Sequence, residues 1–425
     1  MHKEIDISIE GLSKIEGSAS LDIKVRKGKV IHAKLKVSEN KRFYTQAIRG
    51  KTYNTVHQSV SRICGTCSIA HQMCCIKAIE NALRIENSEQ TIILRNLAMQ
   101  GLMIRDHSMH LYLFCLPDIY GKDSVLEFDG KLHQLVHDAF DVKGVGNDLC
   151  KLVAGRAVHP IYPQIGYFSE VPNRAETKKV IEGLKKIRPK VLDLIEIFYN
   201  STFSFETETN FVALVSEDYN YLNGEIRSSS GICIPEINYW DHLNRVVIPY
   251  SQATAFEFEG KEYMVGALSR MNLNKDGLEK ETKKDVKQFL KVFPSNNVYH
   301  NNLAQAIEIL NAIDYSIKTL ETVEFKKEKK PEIKPKESDG IGVIEAPRGT
   351  LYYMISLDRD GKVRYGNLVI PTAQNQIKME NDIRALVSRM LDRKKEEIVR
   401  EIEKLIRAYD PCMSCASHFL KVRWI

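Results

Sequence analysis

The sequence predicts an α+β fold, a central helical bundle with β-sheets at the N-terminus and the periphery. Three observations predict it. Apolar and polar residues alternate at period two over residues 5–37. From Gln72 the apolar spacing changes to steps of three and four. Short alternating stretches then return in 225–275 and again after residue 340. A chain of 425 residues can bury a large core. We read it as one elaborate domain, with an N-terminal sheet (5–60), a helical core (61–220), a strand-rich insert with helices (221–324), a linker (325–340) and a C-terminal sheet and helix (341–425).

In order, Ile5-Asp6-Ile7-Ser8-Ile9, Leu21-Asp22-Ile23-Lys24-Val25 and Val30 to Val37 are strands, with Lys27-Gly28 and Glu16-Gly17 in turns. Ile76, Ile79, Leu83, Leu94, Leu97, Leu102 and Ile104 mark helices, which should run to about residue 215 with breaks near Gly144–Gly146 and at His159-Pro160. Strands and turns dominate 225–275, and helix returns over about 282–320. The lysine- and proline-rich segment 325–340 is the clearest linker. Leu351 to Leu357 and a hairpin at Asp360-Gly361 form a short sheet. An amphipathic helix carrying Ile398, Ile402, Leu405 and Ile406 closes the chain.

Hydrophobic content of 43% and charged content of 27% describe an ordinary globular protein. The net charge of +6 is spread over 61 basic and 55 acidic residues, so no strong field of one sign follows. The densest basic run, Phe325 to Pro331, contains Glu328 and no interleaved aromatics, which argues for a solvated linker and against nucleic acid. No apolar run approaches a membrane span, and the start has no signal-peptide core. Nine cysteines, an odd count with Cys74 and Cys75 adjacent, suit reduced thiols in the cytoplasm.

Four of those cysteines form two pairs of identical spacing, Cys64-Gly65-Thr66-Cys67 and Cys412-Met413-Ser414-Cys415, and a histidine follows each pair (His71, His418). Soft thiolates in two such pairs can close around a metal. Structural zinc is the ordinary meaning of paired CxxC motifs. Zinc modules, however, keep their pairs close in sequence, and here about 345 residues intervene. A lone redox CxxC would not be duplicated.

Both cysteine segments resemble the two signature segments of nickel–iron hydrogenase large subunits, namely Arg62-Ile63-Cys64-Gly65-Thr66-Cys67-Ser68-Ile69-Ala70-His71 and Asp410-Pro411-Cys412-Met413-Ser414-Cys415-Ala416-Ser417-His418. Lys14-Ile15-Glu16-Gly17, Glu345-Ala346-Pro347-Arg348-Gly349 and Ile370-Pro371-Thr372 agree in content and order, so the likeness spans the chain from about residue 10 to 418. It is most like the cytoplasmic, multi-subunit, cofactor-linked group. The resemblance implies reversible heterolytic cleavage of H2. It makes Cys64, Cys67, Cys412 and Cys415 ligands of nickel, with Cys67 and Cys415 shared with an iron that carries carbon monoxide and cyanide. It places Arg348 beside the open metal position, oriented by Asp106 and Asp410, and makes Glu16 the proton relay. Pro347, Pro371 and Thr372 would line the diatomic ligands. With four thiolates filling the nickel's protein positions, His71 is read as a hydrogen-bond partner of sulfur rather than a ligand. His107 and His110 are read as helix-face residues, and Cys74, Cys75, Cys115, Cys150 and Cys233 as small buried hydrophobes.

No spare cysteine pattern remains for iron–sulfur clusters, which implies a cluster-bearing small subunit, with further electron-carrier reductase subunits as partners. Two positions depart from the family pattern. Thr45 stands where relatives carry a glutamate that helps hold magnesium near the C-terminal histidine, here His418, and an uncharged oxygen is a weaker ligand for a hard cation. Tyr353 stands where a histidine is common. In the family, a short tail such as Phe419 to Ile425 is removed after nickel insertion. Two other readings remain at this point: a non-hydrogenase relative serving as a structural or quinone-site subunit of a respiratory complex, and a zinc-stapled scaffold.

Overall fold

The computed structural model describes residues 4–39 and 43–417. The N-terminal alternation forms three antiparallel strands, β1 (Ile5–Glu10), β2 (Ala19–Arg26) and β3 (Lys29–Val37), in that order across the sheet. Ile7, Leu21, Ile23, Val25, Ala33 and Leu35 are buried on its inner face, as a period of two requires. The stretch to residue 60 is completed by two helical turns, Tyr44–Ile48 and Val56–Val60, instead of further sheet.

Helices α1 (Ser68–Leu83), α2 (Glu89–Ser108), α3 (His133–Ala154) and α4 (Arg174–Tyr199) follow. Ser88 caps α2 by accepting the Thr91 N–H at 3.0 Å. A π-helical stretch, Met109–Cys115, continues from its end. The break expected at Gly144–Gly146 does not occur, and α3 is continuous. Gly146 serves a helix contact: a Cβ there would lie 2.8 Å from the Arg105 backbone nitrogen. Gly101 of α2 does the same opposite Cys150, where a Cβ would lie 2.8 Å from the sulfur. Each glycine costs roughly 1 kcal/mol of helix propensity, offset here by the close approach of α2 and α3.

Helix ends at Tyr199, short of the expected 215, and Val212–Val215 is a wholly buried strand. A four-residue apolar run reads the same at either period, which is why the boundary was misplaced. That strand, β4, pairs with β5 (Glu225–Ser228), which pairs with β6 (Cys233–Ile234). β7 (Leu243–Val247) and β8 (Thr254–Phe258) form a second small sheet. Helix α5 (Ala267–Asn274) precedes α6 (His300–Thr322). The expected helix over 282–320 is therefore interrupted, in the segment holding Pro294, which lacks an N–H to donate. Helices α2, α3, α4 and α6 pack on one another as the central bundle.

Residues 323–337 have no regular structure, but the expected linker is a pinned strap: the Lys326 N–H donates to Gln90 Oε1 at 2.8 Å and Ser88 Oγ to Glu328 at 2.8 Å. Its last three expected residues, 338–340, already belong to β9 (Ser338–Ala346), paired with β10 (Gly349–Leu357), which pairs with β11 (Val363–Val369). Helix α7 (Pro371–Arg389), which the sequence reading did not anticipate, begins with proline in the first turn, where its missing N–H costs nothing. The amphipathic helix α8 (Lys395–Ala408) buries the four residues expected of it. One buried cluster runs from the N-terminal sheet through the bundle to α8.

Strand β9 lies directly on α1, the helix that follows the first cysteine pair. A Cβ at Gly340 would come within 2.0 Å of the Ala78 carbonyl oxygen, and one at Gly342 within 2.4 Å of that of Cys74. Both obstacles are backbone, so neither can swing aside. Gly340→Ala is expected to lower unfolding free energy by about 3 kcal/mol, read as a fall in the denaturant midpoint.

Candidate metal centre

The two cysteine pairs sit in loops at the edge of the core. Cys67 is the residue before α1, and Cys412 and Cys415 lie in the turn that follows α8. The loop between β1 and β2 ties them together: the Met413 N–H donates to the Glu16 carbonyl at 2.8 Å. Gly17, at φ +87°, is needed there, since a Cβ would lie 2.8 Å from the Ser414 nitrogen. Tyr44 donates to both loops, at 3.3 Å to the Ile63 carbonyl and 3.4 Å to that of Ser414. The Arg105 guanidinium reaches three carbonyls, Gly65 at 3.3 Å, Ala157 at 2.5 Å and Thr66. It thus clamps the residues between the first two thiols.

The four sulfurs converge within 4.8 Å of one another, all buried. Cys67 and Cys415 are 3.1 Å apart, Cys412 and Cys415 2.9 Å, Cys64 and Cys412 3.6 Å, and none is in a disulfide. Hydrogen bonds from Cys412 and Cys415 pull the Cys64 thiol well below its usual range. Cys67 is drawn down by the same two thiols but is driven up to about 11 by Cys64 and burial. Burial pushes Cys412 and Cys415 well above the usual value. The protein alone therefore stabilises one thiolate and resists four. A divalent metal ion would supply the charge that lets all four ionise, releasing protons as it binds. The donor set fits a soft, redox-active metal better than a hard one.

Arg348 reaches the cluster from the bend between β9 and β10 and is 5% exposed. One terminal nitrogen donates to Asp106 at 3.0 Å; the other lies 3.1 Å from an Asp410 oxygen and 3.3 Å from a Glu16 oxygen. Burial opposes its charge, but Asp106, Asp410 and Glu16 hold it protonated well above the normal range. One Glu16 oxygen lies 3.0 Å from the Cys64 sulfur, close enough to share a proton with it, and the other accepts from the Thr66 hydroxyl at 2.6 Å. Burial lifts its carboxyl to about 8 against the pull of Arg348. His71 contacts the Cys415 sulfur at 3.7 Å through Nε2, and its Nδ1 lies 2.8 Å from the Tyr353 hydroxyl. The tyrosine that departs from the family pattern thus orients this histidine. Burial pushes the His71 ring down to about 4, so it is neutral.

A small cavity is bounded by Cys67, Cys412, Cys415, Pro347, Pro371 and Thr372, among others. Thr372 Oγ1 accepts the Cys412 N–H at 2.9 Å, which leaves its own proton to donate. His107 and His110 are core residues paired with Glu308 and Gln305. Cys74, Cys75, Cys115 and Cys150 are buried as expected; Cys233 is exposed, because it occupies an outward position of a two-residue edge strand. His418 lies outside the described residues. The sequence reading missed Arg105 and Arg270, which sit among other polar residues on their helices and carry no motif that marks them.

A family model described as nickel-dependent hydrogenase matches residues 42–143 and 218–418. Sulfhydrogenase 2 subunit alpha of Pyrococcus furiosus is 31% identical over 424 residues, covering 98% of this chain and 100% of that one. The subunit beta of an NAD-reducing hydrogenase from Cupriavidus necator is 26% identical, covering 97% and 94%. A solved NAD+-reducing NiFe-hydrogenase superposes with a TM-score of 0.85 at 24% identity, over 97% of this chain and 99% of that one. The predicted α+β class is thereby borne out as the hydrogenase large-subunit fold. With this fold, and with its four thiols gathered from the two ends of the chain, the protein belongs to the nickel-dependent hydrogenases, as a catalytic large subunit.

Proposed function

We propose that this subunit cleaves H2 heterolytically and reversibly; Cys64, Cys67, Cys412 and Cys415 would hold nickel, and Cys67 and Cys415 would also hold an iron carrying carbon monoxide and cyanide. The observation that carries the proposal is the convergence of four buried, unbridged thiols within 4.8 Å beside a buried guanidinium. When bound, the metal pair supplies the redox centre and the acid that polarises H2. The protein's own groups do the rest. Arg348, held by Asp106 and Asp410, keeps a fixed positive charge facing the cavity, where preorganisation makes it effective. Pro347 and Pro371 line the cavity and would exclude water from it, and the Thr372 hydroxyl, whose oxygen already accepts the Cys412 N–H, would have its proton free to donate to a ligand of the iron.

Glu16 receives the proton. It touches Cys64 on one oxygen, Thr66 on the other, and its side chain is 18% exposed, so it joins the thiol to the outside. With a pKa of about 8 it is mostly protonated near neutrality and can pass a proton either way. Glu16→Gln is expected to keep normal nickel and iron content but slow H2/D+ exchange by about 10²-fold or more. Exchange at the wild-type rate would remove Glu16 from the relay.

Among the described residues no cysteines cluster outside the four ligands, which supports an iron–sulfur small subunit as the electron acceptor, with further carrier-reductase subunits as partners beyond it. No helix among the described residues is long and apolar enough to cross a membrane, and the free thiols suit the reducing cytoplasm. The magnesium site expected near His418 lies outside the described residues; of its expected neighbours, Thr45 Oγ1 is buried without a hydrogen-bond partner and would be an uncharged, weaker ligand for a hard cation.

Elemental analysis of the purified complex, with H2/D+ exchange on the same sample, tests the assignment. Nickel and iron with exchange are expected. Zinc without exchange would favour a scaffold, and no bound metal a structural subunit of a respiratory complex.

A further inference from the structure

Arg348 is aimed from two sides. Its guanidinium is held by carboxylates, but its backbone must also be fixed, or the side chain would be anchored at one end only. The backbone anchor is Arg270, on helix α5. Arg270 is 3% exposed, and its guanidinium donates to the carbonyls of Ala346 and Pro347, each at 3.0 Å. These are the two residues immediately before Arg348. The same guanidinium donates to Glu345 at 2.8 Å and to both oxygens of Glu308 on α6, at 2.6 and 2.8 Å.

Glu308 completes the arrangement. Its second oxygen also lies 2.8 Å from His107 Nε2, and Tyr219 donates to its first oxygen at 2.7 Å. His107 is the residue after Asp106, which holds the Arg348 guanidinium. One buried carboxylate therefore links the helix that carries the side-chain anchor to the arginine that grips the backbone anchor. Arg270 and His107 together hold Glu308 ionised, with its pKa drawn down to about 2 despite complete burial.

We propose that Arg270, through Glu308 and His107, is a positioning residue that sets the aim of Arg348 and the wall formed by Pro347 toward the four-thiol centre. It touches neither thiol nor cavity and acts only through the backbone of 346–347. Resting on the hydrogenase reading above, this inference assigns a catalytic consequence to a group distant from the metal ligands. Lysine cannot reproduce it. An ammonium is a point donor, whereas this guanidinium serves two carbonyls and two carboxylates in one plane. A shift of about 1 Å in a positioned group can cost on the order of 10²-fold in rate.

The test uses the matured complex of the full chain with its partner subunits. Arg270→Lys is expected to lower kcat for H2 oxidation, per bound nickel, by about 10-fold or more with KM for H2 unchanged. Hydrogen–deuterium exchange should show loosened amides over 345–350 while α1 and the cysteine loops keep their protection. In the double variant with Arg348→Lys the two losses should overlap instead of multiplying, because both remove the same aim. Glu308→Gln, which keeps size and one hydrogen-bonding oxygen, should reproduce the amide loosening and part of the rate loss if Arg270→Lys does not accumulate. Wild-type kcat per nickel in the variants, losses that multiply with Arg348→Lys, or unchanged amide exchange over 345–350 would each overturn the inference. A wild-type complex without nickel or without H2 turnover would instead overturn the hydrogenase reading itself.

Discussion

A Cys415→Ser variant is expected to fold, to lose its nickel–iron centre and to show no hydrogen turnover above background. Cys415 is the sulfur on which the site converges, 2.9 Å from Cys412, 3.1 Å from Cys67 and 3.7 Å from His71 Nε2. Serine is smaller, its oxygen is harder, and at neutral pH it remains an alcohol, so a donor to a soft metal is lost with no equivalent gained. The fold should persist, because Cys415 is one residue near the chain's end in a large buried cluster that runs from β2 through the bundle to α8. The checks are nickel and iron per chain, turnover with the partner subunits present, and the unfolding midpoint of the metal-free protein. Turnover in a purified Cys415→Ser complex would exclude this thiol from the centre. Collapse of the midpoint would show that the thiol is a core residue first.

How much of this centre was legible before the structure depended on chemical type. The four thiols announced themselves because paired cysteines of one spacing have few meanings. Glu16 and Arg348 were legible through the resemblance of their neighbours, and the structure brings both to the thiols. Arg105 and Arg270 were not. Each serves by donating to backbone carbonyls, and a carbonyl leaves no mark in a sequence. Tyr353 was noted only as a departure, yet its hydroxyl aligns His71, a pairing across 282 positions that no local pattern encodes.

The fold divides in the same way. Strands with one wet face, such as β2, and helices with one wet face, such as α8, obeyed their periods. Elements buried on all sides did not, since without a polar face there is no period to read. Val212–Val215 is one case; β10, where eight of nine residues are buried, would be another had its aromatic and β-branched residues not favoured strand. Gly144–Gly146 misled in the opposite direction. A glycine pair reads as a breaker, but at Gly146 the missing side chain is what lets α3 touch α2 at Arg105, the residue beside the arginine's own anchor Asp106.

Arg348→Lys should be far worse than conserved charge suggests, with turnover per nickel falling on the order of 10²–10³-fold. The arginine spans Asp106 with one nitrogen and faces Asp410 and Glu16 with the other, a separation that needs the planar fork. An ammonium could satisfy one carboxylate and would abandon the rest, leaving buried charges unpaired and the cation mobile. Mobility is the damaging part, because a charge stabilises a developing charge only where it is already aimed. Asp106→Asn removes the one carboxylate that accepts a proper hydrogen bond from the guanidinium, so it should give part of the same defect. The amide still accepts at one oxygen, which is why the loss should be smaller than that of Arg348→Lys. Since both changes loosen one side chain, the double variant should lose less than the product of the single losses. Turnover of the three variants, each normalised to nickel, decides the matter. Losses that multiply would mean that Asp106 and Arg348 act separately, and near-wild-type turnover in Arg348→Lys would take the arginine out of the chemistry and leave it as a buried ion pair.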